Sequence, residues 1–202
     1  MELKHLSFAL VGIAVAMLTG CFNEPEPAYK SVPAEARVYL QDKALADLSG
    51  QVAVLKADVV DYVNLDRNAL TNVDPVASLT GLKWLRLNGN RLAALPDLKA
   101  LTKLRRIYLK NNKFTAVPET LKDLPALTDI DLSGNLIKEV PQWLVEKKGL
   151  KNLSFSRTQL TKLPENLSAW ETLQSLQLGD LNISAEEMAR IRKALPSVAI
   201  VF

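Results

Sequence analysis

Apolar residues recur along this chain at one spacing, six times over. The units begin at Val60, Leu82, Leu104, Leu127, Leu150 and Leu173, with gaps of 22, 22, 23, 23 and 23 residues. Within a unit, apolar side chains fall at positions 1, 4, 6, 11 and 14, most clearly in Leu82, Leu85, Leu87, Leu92 and Leu95. Positions 4 and 6 share one face of a short strand, and positions 3, 5 and 7 share the other. One such strand cannot bury its apolar row alone. Stacked units predict a parallel sheet over one continuous core, in which each unit touches mainly its neighbours. Four successive units also place an asparagine at position 9, where the chain leaves the strand: Asn68, Asn90, Asn112 and Asn135. Buried amides must be hydrogen-bonded. Their common register predicts a ladder, each side chain bonding the backbone of the adjacent coil.

The second half of each unit must return on the far side of the core. Three units carry proline after position 14, followed by Glu or Gln: Pro118-Glu119, Pro141-Gln142 and Pro164-Glu165. Proline lacks an N–H and fixes φ, which suits an irregular or single-turn return better than a long helix. Leu79, Leu101, Leu121, Leu124, Leu144, Leu167 and Trp170 are the expected core residues of these segments. Lys147 takes the slot of Leu124 and Trp170 in the unit between, an expected weak point of the core.

The pattern fades at both ends. Upstream, Val38, Leu40, Lys43, Leu45 and Leu48 repeat the spacing of Val63, Leu65, Asn68, Leu70 and Val73 at an offset of 25 residues. This fits a degenerate first unit. A helix over 34–48 fits as well, since the segment has good helix formers and no internal glycine or proline. Downstream, Thr158 and Leu181 replace the ladder asparagine. Ser184 to Glu187 then reads as a capping box, and Met188, Ile191 and Leu195 fall on one helical face. Pro196 ends that helix, and Val198–Phe202 reads as a last strand that closes the open end of the core.

The pattern L-x-x-L-x-L-x-x-N-x-L at a period of about 20–29 residues resembles the leucine-rich repeat family. The resemblance covers residues 35–202. It implies an α/β solenoid with a parallel concave sheet, an irregular or short-helical convex side and a C-terminal helix–strand cap. It also implies protein binding through the concave face and not catalysis. Repeats are expected over 34–183 and the cap over 184–202.

Residues 1–20 have a different character. Lys4 and His5 precede an apolar run, Leu6–Leu18, of 13 residues. That length fits a signal sequence and is short for a membrane span. The run ends in Leu18-Thr19-Gly20-Cys21, which resembles the lipobox of bacterial lipoprotein signal peptides. The resemblance implies cleavage after Gly20, lipidation of Cys21 and anchoring in the bacterial envelope, with residues 21–33 as a tether. The residue after the cysteine is Phe22. In enterobacterial lipoproteins an aspartate there retains the protein at the inner membrane. Its absence favours the outer membrane if the envelope is Gram-negative.

Composition narrows the chemistry. Cys21 is the single cysteine, so no disulfide forms within the chain. The single histidine, His5, leaves with the signal sequence. Histidine-dependent triads, Cys-His pairs and His- or Cys-ligated metals are thereby excluded. No phosphate-binding glycine motif occurs, so no cofactor is expected. Asp129 and Asp131 are a conceivable carboxylate pair, but on an open sheet they read as a solvated acidic patch. The net charge of +3 is too small to indicate nucleic acid, which calls for a clustered basic stripe.

What the outward positions hold is uneven. Tyr39, Tyr62, Trp84, Arg86, Arg106 and Tyr108 concentrate in the first half, Asp129 and Asp131 follow, and serines dominate thereafter. Tyrosine, tryptophan and arginine are the residues that dominate interface hot spots. Tyr62, Trp84, Arg86, Arg106, Tyr108, Asp129 and Asp131 are therefore the candidate partner-binding residues. The leading expectation is a protein partner. The alternatives are an envelope glycan stacked on the aromatic rings, or a passive structural role.

Overall fold

The computed structural model describes residues 36–202. Eight strands form one parallel sheet in chain order. They are β1 (Arg37–Tyr39), β2 (Tyr62–Asn64), β3 (Trp84–Arg86), β4 (Arg106–Tyr108), β5 (Asp129–Asp131), β6 (Asn152–Ser154), β7 (Ser175–Gln177) and β8 (Ala199–Val201). The register carries each position 3 onto the next: Tyr62 opposes Trp84, Trp84 opposes Arg106, and Arg106 opposes Asp129. The expected signal sequence, Cys21 and the tether lie outside the described residues. No described helix is long and apolar enough to cross a membrane.

The core follows the repeat. Positions 4, 6 and 11 are buried in all six units, from Val63, Leu65 and Leu70 to Leu176, Leu178 and Ile183. All join a single hydrophobic cluster with Leu79, Leu101, Leu121, Leu124, Leu144, Leu167 and Trp170 of the return segments. Those returns are short. They hold 3-10 turns at Asp74–Ser78, Glu119–Leu121 and Leu167–Ala169 and one α-turn, α2 (Gln142–Val145). Pro118 and Pro141 stand directly before two of these turns in extended conformation, as expected of a residue whose φ is fixed. Trp170 is core, and its Nε1 donates to the Leu144 carbonyl at 2.9 Å.

The four asparagines form the expected ladder. Asn90 Nδ2 donates to Leu65 O in the preceding coil at 3.0 Å and to Leu87 O in its own coil at 3.0 Å. Its Oδ1 accepts from Leu70 N at 3.1 Å. Asn112 and Asn135 repeat the set, with Oδ1 accepting from Leu92 N and Phe114 N. Where Thr158 replaces asparagine, only the bond within its own coil remains: its Oγ1 donates to Phe155 O at 2.7 Å.

The first coil is a repeat and not a helix. Arg37 pairs with Tyr62 across β1 and β2. The N–H groups of Lys43 and Leu45 both donate to Asn68 Oδ1 at 3.0 Å, and Asn68 Nδ2 donates to Leu40 O at 2.8 Å. One ladder asparagine therefore closes a coil that has none of its own. Helix is confined to a short turn, α1 (Ser49–Val52).

Lys147 does not leave a hole in the core. It is half-buried, and its Nζ donates to Lys122 O at 3.0 Å and Leu124 O at 2.8 Å. Burial pushes its amine below the usual lysine range. At the other end, α3 (Ala185–Ala194) starts with Ser184 Oγ accepting from Glu187 N at 3.2 Å. Glu187 does not complete the capping box. It reaches back one coil and accepts from Leu163 N at 2.8 Å, held by Arg190 at 2.7 Å. The Arg190 contact draws its carboxyl below the usual range. Arg190 also donates to Leu163 O at 2.8 Å, so this ion pair fastens the cap to the last return segment.

One regularity shows only in part in the residue pattern. Position 8 is left-handed in every coil: Asp42, Arg67, Gly89, Asn111, Gly134, Arg157 and Asp180, with φ from 54° to 67°. The strand must turn sharply there to deliver the ladder residue inward. Glycine adopts this conformation freely and Asn and Asp tolerate it, whereas it costs other residues roughly 1–2 kcal/mol. Arg157 is exposed, and substitution to glycine is expected to raise stability by roughly 0.5–1 kcal/mol after glycine's extra unfolded-state entropy is counted; thermal melts check this. Asn112→Ala strands Leu92 N and two buried carbonyls. It is expected to cost about 3 kcal/mol or more, measured by urea denaturation.

Candidate functional site

The outward face of the sheet brings together five of the seven candidate residues. Because β3 and β4 pair in register, Trp84 faces Arg106 and Arg86 faces Tyr108. These four side chains form a checkerboard in which each guanidinium lies over the ring opposite it. Arg106 sits 5.2 Å from the Trp84 centroid and Arg86 5.7 Å from that of Tyr108. The rings themselves make a continuous row. Tyr39 and Tyr62 are 5.3 Å apart, Tyr62 and Trp84 5.0 Å, and Trp84 and Tyr108 5.8 Å.

Packing alters which of these groups are available. Tyr62 is buried, Trp84 and Tyr108 are half-buried, and Tyr39 is 48% exposed. Trp84 keeps its Nε1 buried and without a hydrogen-bond partner, so it packs as an apolar ring. The Tyr62–Trp84 and Trp84–Tyr108 pairs are edge-to-face, at 83° and 82°, an arrangement favoured by the ring quadrupoles. Perpendicular neighbours give no flat, aligned platform of the kind that stacking on successive sugar rings requires.

Asp66, expected on the open face at position 7, is instead 2% exposed and holds Arg86 in place. Arg86 Nε donates to its Oδ2 at 2.8 Å, and Asn88 N donates to its Oδ1 at 2.8 Å. Burial by itself would lower the Arg86 pKa, but the adjacent Asp66 carboxylate more than offsets it and keeps the guanidinium charged. The available signal was register: position 7 of one coil lies diagonal to position 5 of the next, and those residues are Asp66 and Arg86.

The two aspartates of β5 do not behave as a pair. Asp129 is buried at 9% exposure, not solvated as expected. Its carboxylate accepts from Asn152 Nδ2 at 2.6 Å and from Thr128 Oγ1, with Arg106 Nε 3.9 Å away. Asp131 accepts from Ser133 N at 2.9 Å. Asp129 thus borders the checkerboard, whereas Asp131 serves its own turn. Among the described residues, no three side chains of the metal-binding types cluster.

Residues 80–137, which contain β3, β4 and β5, match the Leucine rich repeat family model. The solenoid is also similar to an internalin from Listeria monocytogenes, with a TM-score of 0.59 and 22% identity over 77% of this chain. The chain has a leucine-rich repeat fold. It spans 51% of that internalin, about half its length. A leucine-rich repeat protein of Leptospira interrogans is similar at a TM-score of 0.42 and 25% identity, covering 78% of this chain and 58% of its own. No curated protein matches the sequence. Repeat solenoids of this type present extended surfaces to binding partners.

Asp66 is expected to be the structural support of the site. Asp66→Ala leaves Arg86 and the Asn88 N–H without their acceptor and is expected to cost roughly 3 kcal/mol. Asp66→Asn, which keeps an acceptor, should cost less than half as much. Urea denaturation of both variants checks this.

Proposed function

We propose that this protein is a binding module of the bacterial envelope, anchored by a lipid on Cys21, that holds a protein partner on the outward face of its sheet. The observation that carries the reading is the row Tyr39–Tyr62–Trp84–Tyr108 with Arg86 and Arg106 stacked on it. Aromatic and arginine side chains converge on the solvent face of a sheet whose other face is fully used by the core. Their geometry is set by register and by Asp66, so little side-chain freedom is lost on binding. The lipid follows from Leu18-Thr19-Gly20-Cys21, and the tether over residues 21–33 gives the domain reach from the membrane. The edge-to-face rings make protein a better occupant than glycan.

A photo-reactive residue replacing Tyr39, with a control replacing exposed Asn166 on the return side, tests this in intact envelope. The expected outcome is a discrete protein adduct from position 39 and none from position 166. Cys21→Ser should release the protein to the soluble fraction and abolish the adduct if membrane placement is required for the encounter. Absence of any adduct from position 39 in the membrane-bound protein would overturn the reading.

A further inference from the structure

The charge along the strands is sorted by coil. The strand segments 82–91 and 104–113 carry seven cations and no carboxylate: Lys83, Arg86, Arg91, Arg105, Arg106, Lys110 and Lys113. The adjacent coils carry the aspartates, and those are occupied internally. Asp61 faces Lys83 at 3.4 Å, Asp66 is closed by Arg86, Asp129 lies between Asn152 and Arg106, and Asp131 bonds its own turn. Among the described residues, Arg105 and Lys110 have no carboxylate partner. They stand at the two ends of the β4 strand segment, positions 2 and 7 of one coil. Five residues of extended chain separate them by about 17 Å. Lys110 stands at an outward position and Arg105 is exposed at the N-terminal end of the strand, with the rings of Trp84 and Tyr108 on the outward face between those two chain positions.

We infer that the partner segment is an acidic peptide, laid along β3 and β4, with carboxylates meeting Arg105 and Lys110 and apolar side chains over Trp84 and Tyr108 between them. This rests on the protein-binding reading above. Charge complementarity steers and registers such a segment, while the apolar middle covers the half-buried rings. The two cations are suited to the task because neither has an internal carboxylate partner to surrender.

The test selects random dodecapeptides on the immobilised full chain in detergent and measures the affinity of the winners. Three proteins are compared: wild type, the double variant Arg105→Gln/Lys110→Gln, and the double variant Lys122→Gln/Lys148→Gln, whose lysines are exposed on the return side. The expected peptides have Asp or Glu flanking an apolar stretch. Their Kd should rise about tenfold or more in the sheet-face variant and stay unchanged in the return-side variant. It should also weaken between about 50 and 300 mM salt, as screening requires. Neutral or basic winners, or equal losses in both double variants, would overturn the inference. So would binding of phosphatidylglycerol vesicles by Arg105 and Lys110 with no acidic peptide selected, which would assign the cations to a lipid surface. Failure here is distinguishable from failure of the protein-binding reading. In the first case an adduct still forms at position 39, and its protein binds the sheet-face variant as well as wild type. In the second no adduct forms.

Discussion

The first five coils depend on one recurring hydrogen-bond set, the asparagine amide that links each of them to the one before. At the strand exit the chain turns inward, and its backbone groups are removed from water before any regular ladder can satisfy them. Leu65 O, Leu87 O and Leu109 O each accept from an asparagine one coil ahead, and Leu70 N, Leu92 N and Phe114 N each donate to one. An unsatisfied buried group costs about 1–3 kcal/mol, so one side chain that serves three of them decides whether two coils stay joined. The set is indifferent to what the return path does. That is why the spacing between coils can vary from 22 to 25 residues while the strand register stays fixed.

Much of this was legible because leucine, isoleucine and asparagine mark positions that have no alternative environment. A residue buried on both sides of a coil must be apolar, and the amide that faces two backbones at once must be donor and acceptor together. Legibility failed where backbone geometry, not side-chain chemistry, set the requirement. The left-handed turn at position 8 is announced by Gly89 and Gly134 and disguised by Arg67 and Arg157, which adopt it because the strand and the ladder on either side are fixed. The first coil was ambiguous for a related reason. Its own position 9 is Lys43, and the amide that closes it belongs to Asn68, 25 residues later. Lys147 was misread because its apolar stem and its ammonium act separately: the stem fills the slot, while the head caps two carbonyls of the coil before.

On the outward face, residue identity was readable and residue environment was not. Tyr62, Trp84, Arg86, Arg106 and Tyr108 were nameable from spacing alone, because positions 3 and 5 always point away from the core. Which of them would be exposed depended on lateral neighbours some 4.8 Å away, set by the register between coils. The same register that stacks Arg86 on Tyr108 buries Asp66 beneath Arg86, and the same one that places Arg106 over Trp84 draws Asp129 out of solvent. An acidic patch expected from sequence became part of the wall that holds the arginines.

This self-association of the face bears on how it would bind. Side chains that already pack on one another have lost their rotamer freedom at folding, so a partner need not order them again. The guanidiniums are oriented by these contacts: Arg86 is held by its ion pair with Asp66 and lies over Tyr108, and Arg106 lies over Trp84. A pre-ordered surface with stacked arginines at its centre and cations without a carboxylate partner at its ends would discriminate by charge at the periphery and by shape in the middle. Peripheral charge acts mainly on the rate of encounter and central packing on the lifetime of the complex. Under the proposed lipid anchoring, with the partner in the same envelope, effective concentration would supply the encounter. Lifetime would then fall to the ring surface, where the Trp84–Tyr108 edge-to-face pair is held from below by Asp66 through Arg86.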